Sequence, residues 1–266
     1  MASTYPIILY DSIFTGSSMS ASATVAGYSV DNLSDYRSYT QWQAPSSGTV
    51  WIKCHCTAAR AANSIGIVGH NLYSKDATIS VQMFTSDSAT RGDWSTALSG
   101  FKPDSDYALF KDFETSAERL WWKITIQCAT IVTIGEIIIG DKIQLPGKPM
   151  APVSPYSIGA EIETNRSKAG HILGSVVRYK PLSISHKIAP AEGNYDWWSS
   201  VYRSFMLNHA LNMKPFFYVM DAGADTAKTP KDAFWVKLDD SMKYSLNMLM
   251  GGRVEEMTLT MSGVYE

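Results

Sequence analysis

Only three of the 266 residues are cysteines. So small and odd a number cannot build a disulfide framework, so the fold must be held by its cores, and Cys54, Cys56 and Cys128 are expected to be reduced thiols. Charge is also scarce. Charged residues make up 18% of the chain and the formal net charge is -2. A sequence-independent nucleic-acid binder needs a basic excess, so this balance argues against one. No apolar run approaches the ~18 residues of a membrane span. The opening MASTYPIILYDSIF lacks the basic start and long apolar stretch of a signal peptide.

Catalytic signatures are missing as well. There is no G-x-S-x-G, G-x-x-x-x-G-K-[ST], G-x-G-x-x-G or H-E-x-x-H. The five histidines, at 55, 70, 171, 186 and 209, show no ligand spacing. In Cys54-His55-Cys56 a strand would put the two sulfurs on one face and the imidazole on the other, so the three cannot bind one ion. Asp35, Asp93, Asp104, Asp106 and Glu136 offer no distinctive carboxylate pair. The expectation is a non-enzyme.

What is present is β-structure. Segments 5–13, 49–56, 64–72, 77–85, 119–128 and 130–140 are rich in β-branched and aromatic residues, and serine, glycine and aspartate separate them. Trp51, Lys53 and His55 alternate with Val50, Ile52, Cys54 and Cys56. Trp121, Lys123, Thr125 and Gln127 alternate with Trp122, Ile124, Ile126 and Cys128. Period two means one face in and one out. Short strands without helical spacing between them predict a β-sandwich or jelly roll over 1–145.

Residues 146–157 are proline-rich and read as a linker or strap. The remainder, 158–266, reads as a β-rich domain with one long amphipathic helix at about 195–211. There Trp198, Val201, Tyr202, Phe205 and Met206 recur at helical spacing beside Trp197, and Pro215 marks the end. The twelve methionines in the chain read first as core filling, because methionine adapts to irregular contacts; an adaptable subunit interface, with this helix as its candidate, is the alternative.

The loop Asp31–Trp42 carries Asn32, Asp35, Thr40 and Trp42 in a spaced set, followed by IGIVGHN (65–71), RLWWKITI (119–126) and IGEI (134–137). In order and type this resembles the discoidin-like, galactose-binding-like jelly roll also found in carbohydrate-binding modules. The resemblance implies that Trp42 plugs the core. It also implies that Asp35, Thr40 and Glu136 stand at positions that hold a structural calcium ion in many members. Arg37 departs from the family pattern, in which an aspartate or asparagine is usual. A guanidinium there would pair with Asp35 or Glu136 and replace the ion, so no metal or other cofactor is expected, calcium being the alternative.

The whole chain also resembles tail proteins of tailed bacteriophages, through the early NL-x-D-x-R and GHNL and the late PFFY. That implies a structural virion protein of the tail tip or baseplate, made in the host cytoplasm. It would assemble with itself in a ring-like homo-oligomer and dock other tail proteins. The alternative is a carbohydrate-binding, receptor-binding module for a host surface glycan.

Overall fold

The computed structural model describes residues 6–84, 94–113, 118–147, 149, 156–188, 195–220, 233–239, 247–249 and 253–265. The chain is mainly β, with a two-sheet β-sandwich, a further sheet and a helical segment. The sandwich faces a five-stranded sheet, in the order Ser18–Ala21, Gly48–Arg60, Arg119–Cys128, Thr78–Phe84, Ser95–Phe101, against a three-stranded one of Glu136–Gly140, Ser64–Val68 and Leu109–Asp112. Trp42, Trp122, Ile52, Ile124, Ile67 and Ile137 fill the space between them. Alternation in the five-stranded sheet follows the expected period: Val50, Ile52, Cys54 and Cys56 are buried, while Trp51, Lys53 and His55 reach the surface.

The three-stranded sheet does not alternate. Ser64–Val68 and Glu136–Gly140 are buried at every position, which is the signature of strands covered on both faces. Their second cover is an eight-stranded sheet, ordered Ile143–Gln144, Ile7–Leu9, Phe216–Val219, Ala233–Leu238, Arg253–Val264, Pro181–Ile188, Ser157–Ile158, with Asn247–Leu249 also on Arg253–Val264. Ile7, Leu9, Phe217 and Val219 pack on Val68, Phe110 and Ile138. The opposite face, with Ile8, Phe216 and Tyr218, packs on the helical segment. The layers therefore run sheet, sheet, sheet, helix. Gly66 permits the middle contact: a Cβ there would lie 2.5 Å from the Phe217 ring.

The segment at 5–13 thus contributes a strand, Ile7–Leu9, to the second sheet, where it pairs with Phe216–Val219 and Ile143–Gln144. Backbone pairing therefore crosses the boundary drawn at 145. Within the strap, Pro149 bridges Ile188.

The helical segment is not one uninterrupted α-helix. It runs as α over Tyr195–Trp197, π over Trp198–Tyr202 and α over Arg203–Asn208, then a 3₁₀ turn at Ala210–Asn212. Trp198, Tyr202, Phe205 and Met206 are fully buried against the chain's own sheet. They cannot serve as a subunit interface, because their apolar stripe is already covered. Val201 faces outward and Trp197 is half-buried.

A two-stranded ribbon, Glu161–Arg166 with Ile172–Tyr179, leaves the body where Ser157–Ile158 pairs with Leu182–Ser183. Every ribbon residue is exposed. Among the described residues no helix is long and apolar enough to cross a membrane.

Candidate functional site: the open face of the five-stranded sheet

The Asn32–Trp42 loop is structural at every resolvable contact. Asn32 Nδ2 donates to Gln41 O at 2.8 Å, and Trp42 is wholly buried in the sandwich core. Asp35 accepts the Thr40 hydroxyl at 2.7 Å and the Arg37 backbone N–H at 2.9 Å. Glu136, 1% exposed, accepts the Tyr36 N–H at 2.7 Å. The ion pair expected of Arg37 is not formed. Its side chain is exposed, and its backbone N–H, not its guanidinium, reaches Asp35. The reason lies in Tyr36, which takes a left-handed φ of 63° and so turns both amide groups toward the carboxylates.

With no guanidinium to neutralise it, burial pushes Glu136 up to about 9, and the Asp35 charge adds to the shift against the Tyr36 and Arg37 N–H groups. Burial therefore favours the protonated, neutral form of the Glu136 carboxyl at neutral pH. Among the described residues no three His, Cys, Asp or Glu side chains gather. By donor type the loop still fits a hard cation: Asp35, Thr40 and Glu136 would hold it, and its charge would take the place of the proton.

The same loop is committed to the rest of the chain. The Tyr36 ring lies edge-on to His209, centres 5.5 Å apart, and the Lys214 ammonium lies 5.4 Å from its centre. Tyr39, 77% exposed, is the aromatic the loop leaves free. Asp106 accepts the Tyr73 and Ser74 N–H groups of a turn, and has no carboxylate partner there. A shallow cleft of about 400 Å³, open solvent included, lies between Tyr107, Trp235 and Tyr265.

The richest surface is elsewhere. Because the three-stranded sheet is buried on both sides, the outer face of the five-stranded sheet is the sandwich face left to solvent. Register sets its rows. His55, Trp121 and Phe84 stand side by side; then Lys53, Lys123 and Gln82; then Trp51, Thr125 and Ser80. His55 stacks on Trp121 at 4.2 Å with planes 24° apart. Trp94 closes over the centre, 5.7 Å from Phe84. Lys53 Nζ lies 4.2 Å from the Trp51 ring centre and Lys123 Nζ 4.6 Å from that of Trp94. Burial and the neighbouring Lys53 charge both lower the Lys123 pKa. The alternation of both central strands marks these residues as one outer face. What the sequence does not reveal is that the two strands are neighbours in this register.

No protein-family model matches the sequence, and no curated protein matches it. Among solved structures, the chain is similar to chitosan-binding module 1 of a chitosanase/glucanase from Paenibacillus sp. IK-5. Identity is 15%, covering 49% of this chain and 98% of that one, with a TM-score of 0.41. It is also similar to a pectin-binding carbohydrate-binding module (19%, 46% and 88%, TM-score 0.36). A third is the CBM32 of AlyQ, solved with 4,5-unsaturated mannuronic acid (18%, 49% and 96%, TM-score 0.38).

Proposed function

We propose that this protein is a glycan-binding module, not an enzyme, and that it binds on the open face of its five-stranded sheet. The observation that carries the reading is the set of solvent-facing rings, Trp51, Trp94 and Trp121 with His55 and Phe84, interleaved with hydrogen-bonding Gln82, Thr125 and Ser80. Amphipathic rings beside polar groups suit a sugar, whose faces are apolar and whose rim is hydroxyl. Trp51 and His55 are four residues apart on one strand, about 13 Å. A ligand touching both must be an extended chain.

Affinity electrophoresis through gels holding soluble polysaccharides tests this. The wild-type chain should be retarded by at least one polymer. The variants Trp51→Ala and Trp121→Ala should each bind at least tenfold more weakly, about 1.4 kcal/mol, with unchanged circular dichroism. Equal retardation of wild type and variants would place any binding elsewhere.

A second reading is a structural protein of a phage tail, and the ribbon favours its self-association. Ile162 stands opposite Val177 on the face shared by Thr164 and Ser175, whose hydroxyls are 3.2 Å apart, while Glu163 pairs with Arg178 on the other. Leu173 is 70% exposed. An isolated two-stranded ribbon is marginal in water, and an exposed patch of Ile162, Val177, Thr164 and Ser175 can be its own complement in a twofold pair. Light scattering should then give a mass above one chain's 29.3 kDa, returning to it in Ile162→Glu/Val177→Glu. A wild-type monomer at every concentration would remove this reading.

A further inference from the structure

The two lysines at the centre of the open face are not placed as ordinary surface charges. Lys53 stands directly opposite Lys123 across adjacent strands. Like charges in that position repel. Among the described residues neither has a carboxylate within 4.0 Å, whereas Lys102 has Asp76 and Lys142 has Asp112. Instead both ammoniums lie against indole rings, Lys53 near Trp51 and, at 5.8 Å, Trp94, and Lys123 near Trp94. Cation–π contacts fix their position without cancelling their charge. The cross-strand neighbours Gln82, Ser20 and Thr96 add hydrogen-bonding capacity and no negative charge.

We infer that the open face selects an anionic glycan, with a carboxylate or sulfate of the bound chain seated between Lys53 and Lys123 while its sugar rings lie on the flanking indoles. This rests on the glycan-binding reading of the same face and adds the class of sugar to it. The anion would supply a counter-charge that none of the described residues brings within 4.0 Å of either ammonium. Its position in the middle row, with aromatic rings on both sides along the strands, matches a polymer that carries charge between stacked units. A single-stranded nucleic acid would also offer rings and anions. Two central ammoniums, in a chain of net charge -2, are too few for a phosphate at every nucleotide.

Affinity electrophoresis should therefore be run through polygalacturonate, dextran sulfate, neutral dextran and neutral glucomannan, beside a filter assay with poly-dT. The expected result is retardation by polygalacturonate or dextran sulfate, with the stronger of the two naming the anion, and none by the neutral polymers. Lys53→Gln/Lys123→Gln should weaken binding at least tenfold and remove its salt dependence. That variant loses a repulsion together with its cation–π contacts, and an unchanged circular dichroism spectrum checks that it folds. Lys53→Gln alone is the second variant, with an intermediate loss expected. Retardation by a neutral polymer that survives the double substitution overturns the anionic inference and leaves the glycan-binding reading standing. No retardation by any polymer overturns both. Binding to poly-dT without glycan binding also overturns both, in favour of nucleic acid.

Discussion

Phe217→Ala should destabilise the whole chain by about 3–5 kcal/mol, the range for deleting a buried aromatic side chain. The substitution sits in the second sheet, yet its effect is expected to reach the sandwich. Phe217 is fully buried, lies 4.8 Å from Trp235, and covers the strand Ser64–Val68 at Gly66. It therefore belongs to two sheets at once. Gly66→Ala should also destabilise, because the added methyl would fall 2.5 Å from the Phe217 ring, and overpacking a filled core is costly. The two should not be additive: removing the ring makes room for the methyl, so the double variant should be more stable than the sum of the single losses implies. Chemical denaturation followed by circular dichroism and tryptophan fluorescence provides the check. One coincident transition is expected, because Ile7–Leu9 and Ile143–Gln144, at the two ends of the sandwich segment, are strands of the second sheet. Two separated transitions would mean that the layers fold independently.

The second large effect is on pH. In the unfolded chain a glutamate titrates near 4.3. Glu136 in the fold is raised to about 9. Between those values the folded state holds a proton that the unfolded state has released, so stability falls as pH rises, by about 1.4 kcal/mol for each pH unit. His70 acts in the opposite sense at lower pH. Burial lowers it to about 4, against the attraction of Asp106. The unfolded chain then binds the extra proton below about 6.5, and stability falls as pH drops. Above pH 6.5 His70 is neutral in both states. Urea denaturation with a chelator present, from pH 6.5 to 8.5, compared between wild type and Glu136→Gln, isolates the carboxyl from every other group. The neutral amide should make the variant increasingly the more stable of the two, the gap widening by about 1.4 kcal/mol per pH unit. A constant gap would mean that Glu136 is ionised in the fold. Added calcium, if the loop takes it, should raise wild-type stability and leave Glu136→Gln indifferent.

These two cases mark what could be read from the sequence. The strand at Arg119–Cys128 and the inward set Val50, Ile52, Cys54 and Cys56 were legible because period two with one wet face leaves a clear alternation. So was the burial of Trp42 at the end of its loop. The partner of Ile7–Leu9 was not legible, since a run of apolar residues declares burial on both faces without naming what covers it. The helical segment showed its apolar stripe, but the stripe cannot say whether its cover is the same chain or another. Arg37 misled for a different reason. Residue type suggested a side-chain ion pair, whereas the left-handed Tyr36 delivers backbone amides to the carboxylates instead. On the open face the outward residues of each strand were readable one strand at a time. Their meeting, Lys53 on Lys123 and His55 on Trp121, depends on register between segments more than sixty residues apart and became visible only in the folded chain.

The open face itself is the central claim, and hydroxyl-radical footprinting tests it most directly. Wild-type chain with and without saturating polygalacturonate should show protection of Trp51, Trp94 and Trp121, with Tyr39 and the Tyr107–Tyr265 cleft unchanged. Protection confined to Tyr39 or to that cleft, with the three tryptophans as reactive as in the free protein, would contradict it.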